Sequence, residues 1–347
     1  MTLLPSNLEL RLDYRDYHRR FRSPLVTAHG EWQERDGVIV RLEAPDGRVG
    51  YGEAAPIAWF CPEIRTKPTT GAPLSEQMCL PAFGSTFRPL TINGVEDPDL
   101  HWALECALAQ LNDPTLPGVR VPIAGLLPAG MAALAALPGQ LASARRALKW
   151  KIGVLRCSEE IALADHIAQS LPRGVRLRLD ANGGLTKADY AAWLTWCQER
   201  RDVIDYLEQP LPIGEEAAMF ALAEGTGVPI ALDESIARVD MVILLAKRFP
   251  TAVLIIKPSL LGSRSAYLRW RSANYQHRVV YSTSFETAIG LKAVWELAAL
   301  DWPPLSPAGL DAASIMEDDG LCPMRIGWEI CHTDWPQSVD EEVWKRL

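Results

Sequence analysis

Leu177-Arg-Leu-Asp-Ala-Asn-Gly183 is the stretch on which the fold turns. A short run opening at Arg176 alternates along a strand, ends on Asp180 and breaks into Asn182-Gly183-Gly184, a turn composition. Lys187–Arg200 follows with helical spacing. The same unit recurs on both sides. Upstream lie candidate strands Val121–Ala124 and Leu148–Ile152; downstream lie Ile204–Glu208, Pro229–Asp233, Val253–Lys257 and Val279–Ser282, with Pro304–Pro307 a weaker last one. Helical stretches separate them: Glu159–Ser170, Glu215–Gly225, Val239–Arg248, Ser263–Asn274 and Ala288–Ala299. A repeat of roughly 25–30 residues is the length of a βα unit. Sustained alternation of this kind predicts an α/β fold with a parallel sheet, and strands in this number close as a TIM-type barrel.

The first third follows a different pattern. Leu8 to Tyr14 alternates apolar and polar residues, and Gly37–Glu43 and Arg48–Glu53 flank the turn Pro45-Asp46-Gly47, which predicts antiparallel strands and a hairpin. Pro56–Ser85 reads as loop. Asp97 then caps a helix with Pro98 in its first turn and Leu100, Ala103, Leu104, Ala107, Leu108 and Leu111 on one face. The expected organisation is an α+β capping domain over 1–115, a barrel over 116–310 and a tail over 311–347 that returns to the capping domain. Trp328, Trp335 and Trp344 are the tail's expected anchors. Loops at Phe21–His29 and Ala55–Phe60 are expected to cover the barrel mouth.

Composition narrows the function. The chain has 347 residues, 48% hydrophobic and 22% charged, with a formal net charge of -8. A mildly acidic chain without a basic stripe argues against nucleic-acid binding. The most apolar segment, Ala129 to Ala142, is interrupted by Gly130, Pro138 and Gly139 and falls short of the roughly 20 residues a membrane span needs. Charged residues at Arg11, Asp13, Arg15 and Asp16 replace the apolar core of a signal peptide. The seven cysteines include no CxxC pair and read as reduced thiols of a cytoplasmic protein. No GxGxxG is present, which disfavours a dinucleotide-binding sheet.

The charged residues fall where chemistry would need them. Lys149 and Lys151, Asp180, Glu208, Asp233 and Lys257 close five consecutive predicted strands, and strand C-termini of a barrel converge on one face. With a period of two, Lys149 and Lys151 point the same way, as do Arg178 and Asp180, while Trp150 points out to a helix. Three neighbouring carboxylates need a compensating charge. A hard divalent cation would supply it through oxygen ligands, and the lysines forming a structural ion-pair cluster is the alternative. A cation beside lysines suits removal of a weakly acidic proton next to a carboxylate, because it stabilises the enediolate that results. The base has to be neutral, and burial with Lys149 and Arg178 nearby would depress the pKa of Lys151.

Ala147-Leu-Lys-Trp-Lys-Ile-Gly153, Leu177 to Gly183, Leu207-Glu-Gln-Pro210, Leu232-Asp-Glu-Ser235 and Ile256-Lys-Pro-Ser-Leu-Leu-Gly262 resemble the enolase superfamily, muconate-lactonizing subgroup. Gly50-Tyr-Gly-Glu-Ala-Ala-Pro56 is similar to that family's capping domain. Within the subgroup, Arg178, Tyr281 to Gly290 and Gly309-Leu-Asp-Ala312 resemble the o-succinylbenzoate synthase family, with Ala312 where relatives often carry Thr. Leu305-Ser-Pro-Ala-Gly309 lacks the Asp-x-Asp of dipeptide epimerases.

The resemblance implies a modified (β/α)7β barrel and Mg2+-dependent syn-dehydration of 2-succinyl-6-hydroxy-2,4-cyclohexadiene-1-carboxylate, a hydro-lyase step toward menaquinone or phylloquinone. It implies Lys151 as base and then acid, Lys257 as a cation facing the substrate ring, and Lys149 as a tuning charge. Asp180, Glu208 and Asp233 would be metal ligands, with Mn2+ able to replace Mg2+, and Glu234 would point away. Asn182 is either a partner of the ligands or a turn residue. Ser284 and Gly309 either face the substrate through backbone N–H groups or are loop residues, and Arg22 either meets the succinyl carboxylate or is an exposed arginine. N-succinylamino acid racemisation, muconate cycloisomerisation and a non-catalytic binding scaffold are the competing readings. The expected partner is a small carboxylate, with no nucleic acid and no membrane span.

Overall fold

The computed structural model describes residues 9–27, 30–60, 73–78, 80, 86–90, 92–115, 118–301, 306–311, 315–322, 327–336 and 338–347. Strands β1 (Glu9–Thr27), β2 (Gly30–Glu43) and β3 (Val49–Ala54), with the short β4 (Arg88–Pro89), form an antiparallel sheet in the order β3-β2-β1-β4. The short helix α1 (Leu74–Gln77) interrupts the stretch that reads as loop, and α2 (Pro98–Asn112) covers one face of the sheet. Asp97 caps α2 by accepting the N–H groups of Asp99 and Leu100. Val38, Val40 and Leu42 meet α2, whereas Ile39 faces the C-terminal helix, so β2 is buried on both sides over Val38–Val40.

The chain then enters a parallel barrel. β6 (Gly125–Leu127), β7 (Ala147–Lys151), β8 (Arg176–Asp180), β9 (Ile204–Glu208), β10 (Ile230–Leu232), β11 (Val253–Ile256) and β12 (Val279–Tyr281) lie side by side in chain order. Before them, β5 (Val121–Pro122) stands outside that sheet. Helices α3 (Ala132–Ala142), α4 (Cys157–Ser170), α5 (Lys187–Glu199), α6 (Glu216–Ala223), α7 (Val239–Arg248), α8 (Arg264–Ala273) and α9 (Ala288–Leu300) alternate with the strands. The fold is a modified (β/α)7β barrel with an α+β capping domain. Among the described residues no helix is long and apolar enough to cross a membrane.

The barrel's two ends differ from expectation. β5 pairs antiparallel with β13 (Glu329–Ile330) of the tail, and the first parallel strand begins only at Gly125. Pro122 has no N–H to give an inner ladder, which suits a place outside the main sheet. The eighth strand is reduced to Ala308 and Gly309, which bridge Ile123 and Ser282 and so join the two sides; Pro304 and Leu305 lie outside the described residues. Residues 21–27, expected as a covering loop, extend β1, and residues 28–29 lie outside the description. The tail ends in α10 (Val339–Arg346), whose Val339, Val343 and Trp344 pack against Tyr17, Ile39 and Tyr51. Trp344 and Trp335 are buried anchors, but Trp328 is 45% exposed, and its carbonyl accepts the Ile123 N–H. Among the described residues Cys106, Cys157, Cys197 and Cys331 are free thiols; Cys61 and Cys79 lie outside the described residues.

A buried carboxylate of the cap ties it to the barrel at the start of α9. The buried Glu53, on β3, accepts Tyr17 OH at 2.6 Å, the N–H groups of Thr287 and Gly290 at 2.9 Å, and the Thr287 hydroxyl. It therefore caps α9 from the other domain. On the same strand, Gly50 and Gly52 let α2 approach: a Cβ on Gly52 would stand 1.8 Å from the Ala103 carbonyl oxygen, and one on Gly50 2.0 Å from that of Ala107. Gly52→Ala is expected to push α2 off the sheet and destabilise the protein by about 1–3 kcal/mol or more. Urea unfolding checks this, and an unchanged midpoint would contradict the close approach.

Candidate functional site

Strand period places the chemistry. Alternation along β7 turns Lys149 and Lys151 inward and leaves Trp150 fully buried outside, 6.4 Å from Trp193 of α5. Asp180 and Glu208 end β8 and β9, and Asp233 and Lys257 directly follow β10 and β11. All converge at the C-terminal mouth. The Lys149 ammonium lies 2.8 Å from Asp180 Oδ2 and 2.7 Å from Glu208 Oε1. The Lys257 ammonium donates to both carboxylate oxygens of Asp233 and sits 4.6 Å over the Phe60 ring.

The electrostatics follow from burial. For Lys149, burial opposes the charge, but Asp180, Glu208 and Asp233 outweigh it and hold its pKa well above the ordinary lysine value. For Asp180, burial likewise opposes the charge and Lys149 outweighs it, so its pKa is lowered. Glu208 goes the other way: burial, with Asp180 and Asp233 beside it, raises its pKa against the pull of Lys149. Lys151 is depressed, chiefly by burial; Asp180 opposes that shift and the Lys149 charge adds to it.

Asp180, Glu208 and Asp233 could hold a hard cation. Glu208 Oε2 is buried without a hydrogen-bond partner, an oxygen donor waiting for a positive charge, and the donor set is all carboxylate, as Mg2+ prefers. Among the described residues, no three Asp, Glu, His or Cys side chains close into a cage by themselves. The ammoniums of Lys149 and Lys257 occupy the places between the carboxylates.

Glu234 does not point away. The strand ends at Leu232 and the chain turns into a 3-10 segment at Glu234–Ile236, so the two-residue period stops applying there. Glu234 accepts from Asn182 Nδ2 at 3.0 Å, and burial next to Asp233 pushes its pKa up to about 7. Asn182 is both turn and link: it takes a left-handed φ of 43° and its N–H donates to Asp180 Oδ1 at 3.1 Å. Ser284 is fully buried; its N–H donates to Glu286 and its hydroxyl accepts from Ser259. Gly309 N–H donates to the Tyr281 carbonyl at 2.7 Å. Both N–H groups are thus used inside the protein. Arg22, exposed on β1, donates to the Met316 carbonyl at 2.7 Å. Sequence reading passed over Gln209, whose side chain accepts the N–H groups of Asp233 and Ser235 and so shapes the neighbouring strand tip.

Arg178 lies one layer below the mouth. Its Nε donates to Asp205 Oδ2 at 2.8 Å, its Nη1 to the Pro307 carbonyl at 2.8 Å, and its guanidinium stands 5.1 Å over the Tyr206 ring. Arg278 meets the other Asp205 oxygen at 2.5 Å. Strand alternation alone would turn Asp205 out of the barrel if Tyr206 turned in. The register slips here, with Leu177 opposite Ile204 but Arg178 opposite Tyr206, so the bulge brings Asp205 in as well. No sequence signal marks that extra residue. Asp205→Asn leaves Arg178, whose side chain is 1% exposed, short of its counter-charge and is expected to cost about 3–5 kcal/mol. The two arginines lower the pKa of Asp205 against the opposing effect of burial. The ion-pair contribution is therefore full above the unfolded value of about 3.9 and is lost as pH falls through the lower folded value. Denaturant titrations should show a wild-type-to-mutant gap that is flat from neutral pH to about 5 and narrows in stronger acid; a gap independent of pH would contradict the pairing.

Residues 132–302 match the family model for the enolase C-terminal domain-like fold. The o-succinylbenzoate synthase of Thermosynechococcus vestitus is 33% identical over 86% of this chain and 92% of its own length. That of Yersinia enterocolitica is 29% identical over 91% of this chain and 90% of its own. The crystal structure of o-succinylbenzoate synthase from Thermosynechococcus elongatus, complexed with Mg in the active site, superposes with a TM-score of 0.75 at 28% identity, covering 97% of this chain and 100% of that one. The chain belongs to the o-succinylbenzoate synthase family of the enolase superfamily.

Proposed function

We infer that the protein dehydrates 2-succinyl-6-hydroxy-2,4-cyclohexadiene-1-carboxylate to 2-succinylbenzoate, the hydro-lyase step on the way to menaquinone or phylloquinone. The observation that carries this reading is the convergence of Lys149, Lys151 and Lys257 with Asp180, Glu208 and Asp233 at one barrel mouth, Lys149 paired with Asp180 and Glu208 and Lys257 with Asp233. The membership of the chain in the synthase family supports it.

Lys151 works as the base because burial and the Lys149 charge favour its neutral form. It takes the proton from the ring carbon that bears the carboxylate. The ammonium so formed returns that proton to the neighbouring hydroxyl as the carbon–oxygen bond breaks, on the same face. Water leaves, the ring becomes aromatic, and Lys151 is neutral again. Asp180, Glu208 and Asp233 are the residues that would hold Mg2+, with Mn2+ as a substitute, and such a cation supplies positive charge beside the substrate's carboxylate oxygens. Asp233 holds the Lys257 side chain at the mouth, where it can lie against the ring's π face as it lies over Phe60. Phe60, under Lys257, packs on the capping side of the mouth with Ile57, Ala237 and Leu260 and the partly buried Trp59.

Loss of diene absorbance in the ultraviolet tests the reading directly. Turnover is expected with Mg2+ and is expected to stop with excess chelator. Lys151→Ala should lower kcat by at least about 10²–10⁴-fold while Mg2+ binding by calorimetry is retained. Folded wild-type protein that leaves the diene untouched would sink the synthase reading, and deuterium exchange at the alpha carbon of N-succinylamino acids would then probe racemisation.

A further inference from the structure

The loop that follows β12 is held from the capping domain by Arg19, Glu53 and Arg35, and Arg35 also binds the capping segment at Pro56. Arg35, on β2 of the capping domain, is 2% exposed. Its Nε donates to the Ser284 carbonyl at 3.0 Å, and its Nη1 donates to the Pro56 carbonyl at 2.5 Å and the Asp36 carbonyl at 2.7 Å. Ser284 belongs to the barrel. Pro56 opens the capping segment that runs through Ala58–Phe60 to the ring under Lys257. A single rigid guanidinium thus ties the two walls of the mouth together.

The tie has a strained residue beside it. Phe285 has φ +65°, a conformation that a bulky non-glycine residue holds only when its surroundings force it. The groups that hold it act on the two peptide units before it, and the Phe285 N–H itself donates to the Thr283 hydroxyl at 2.9 Å. Arg35 takes the Ser284 carbonyl, and Glu286 takes the Ser284 N–H at 2.8 Å while its other oxygen accepts from Ser259 at 2.6 Å. Held this way, the half-buried Phe285 ring stands 5.3 Å from Trp32 and 5.4 Å from Phe21, and Trp32 stands 4.8 Å from Trp59. These rings make one aromatic wall running from the barrel loop to the capping segment beside Lys257.

We propose that Arg35 is a positioning residue for substrate binding: by joining the Ser284 and Pro56 carbonyls it fixes Phe285 and the capping segment in the shape that receives the substrate. The proposal rests on the dehydration reading for the identity of that substrate. Arg35 touches no reacting atom, so its loss changes how well the mouth is formed rather than the proton transfers at Lys151. A lysine at this position keeps the charge but lacks the planar fork, and cannot reach both carbonyls with the same geometry.

Steady-state kinetics on Arg35→Lys and Arg35→Met, with 2-succinylbenzoate binding followed by tryptophan quenching, test the proposal. KM and the product's Kd are expected to rise together, at least tenfold in both variants, with kcat within threefold of wild type. Hydrogen exchange at the Ser284 to Thr287 amides reads the loop without any substrate. It is expected to quicken at least tenfold in Arg35→Lys while the amides of β7 to β9 stay protected. KM and Kd within twofold of wild type, or a fall in kcat alone, would overturn the proposal, as would unchanged exchange at the loop. If Arg35→Met does not fold, Arg35→Lys decides. A wild type that binds and turns over nothing defeats the dehydration reading by itself, and the exchange comparison still decides whether Arg35 fixes the loop.

Discussion

Carboxylates that sit side by side out of water repel one another, and the mouth of this barrel is organised around relieving that repulsion. Asp180 and Glu208 share the Lys149 ammonium, and Asp233 has Lys257 to itself. Removing Lys149 or Lys257 would strand buried carboxylates, which is far costlier than losing a surface pair. The arrangement also sets up an inequality among lysines. Asp180, Glu208 and Asp233 raise the pKa of Lys149 against burial, and its charge adds to burial in lowering that of Lys151. Two lysines a single residue apart on one strand are thus shifted in opposite directions, as the role proposed for Lys151 needs.

Beneath the mouth, a second charged layer supports the first. Arg178, Asp205 and Arg278 close the barrel interior around the Tyr206 ring, and Val253, Ile255 and Val280 complete the filling. Strand tips that carry ionised groups need rigid strands below them, and the interior supplies that by packing and by paired charges rather than by leaving a channel.

Much of this could be read from residue order alone. The repeat of strand and helix gave away the barrel, and period two along β7 and β8 separated Lys149, Lys151 and Asp180 from Trp150 without any coordinates. What stayed hidden has physical causes. Asp205 enters the site through a bulge that breaks the period on which the reading depended. Glu234 was misdirected for a related reason, since the strand had already ended at Leu232. The eighth strand shrank to Ala308 and Gly309, too short to show a pattern. Contacts between Arg35 and Ser284 or between Glu53 and Thr287 span 249 and 234 residues, and no local window can connect such positions.

The Glu53 contact bears on how the molecule holds together as a thermodynamic object. Helix α9 belongs to the barrel, yet the amides of Thr287 and Gly290 at its start are satisfied by a carboxylate from the capping sheet. A helix start deprived of such a partner is weakened, and a buried carboxylate deprived of its donors is worse off still. Neither half therefore contains a complete set of hydrogen-bond partners. Loss of structure in the cap therefore takes partners from the start of α9, and loss of α9 takes donors from the cap's buried Glu53.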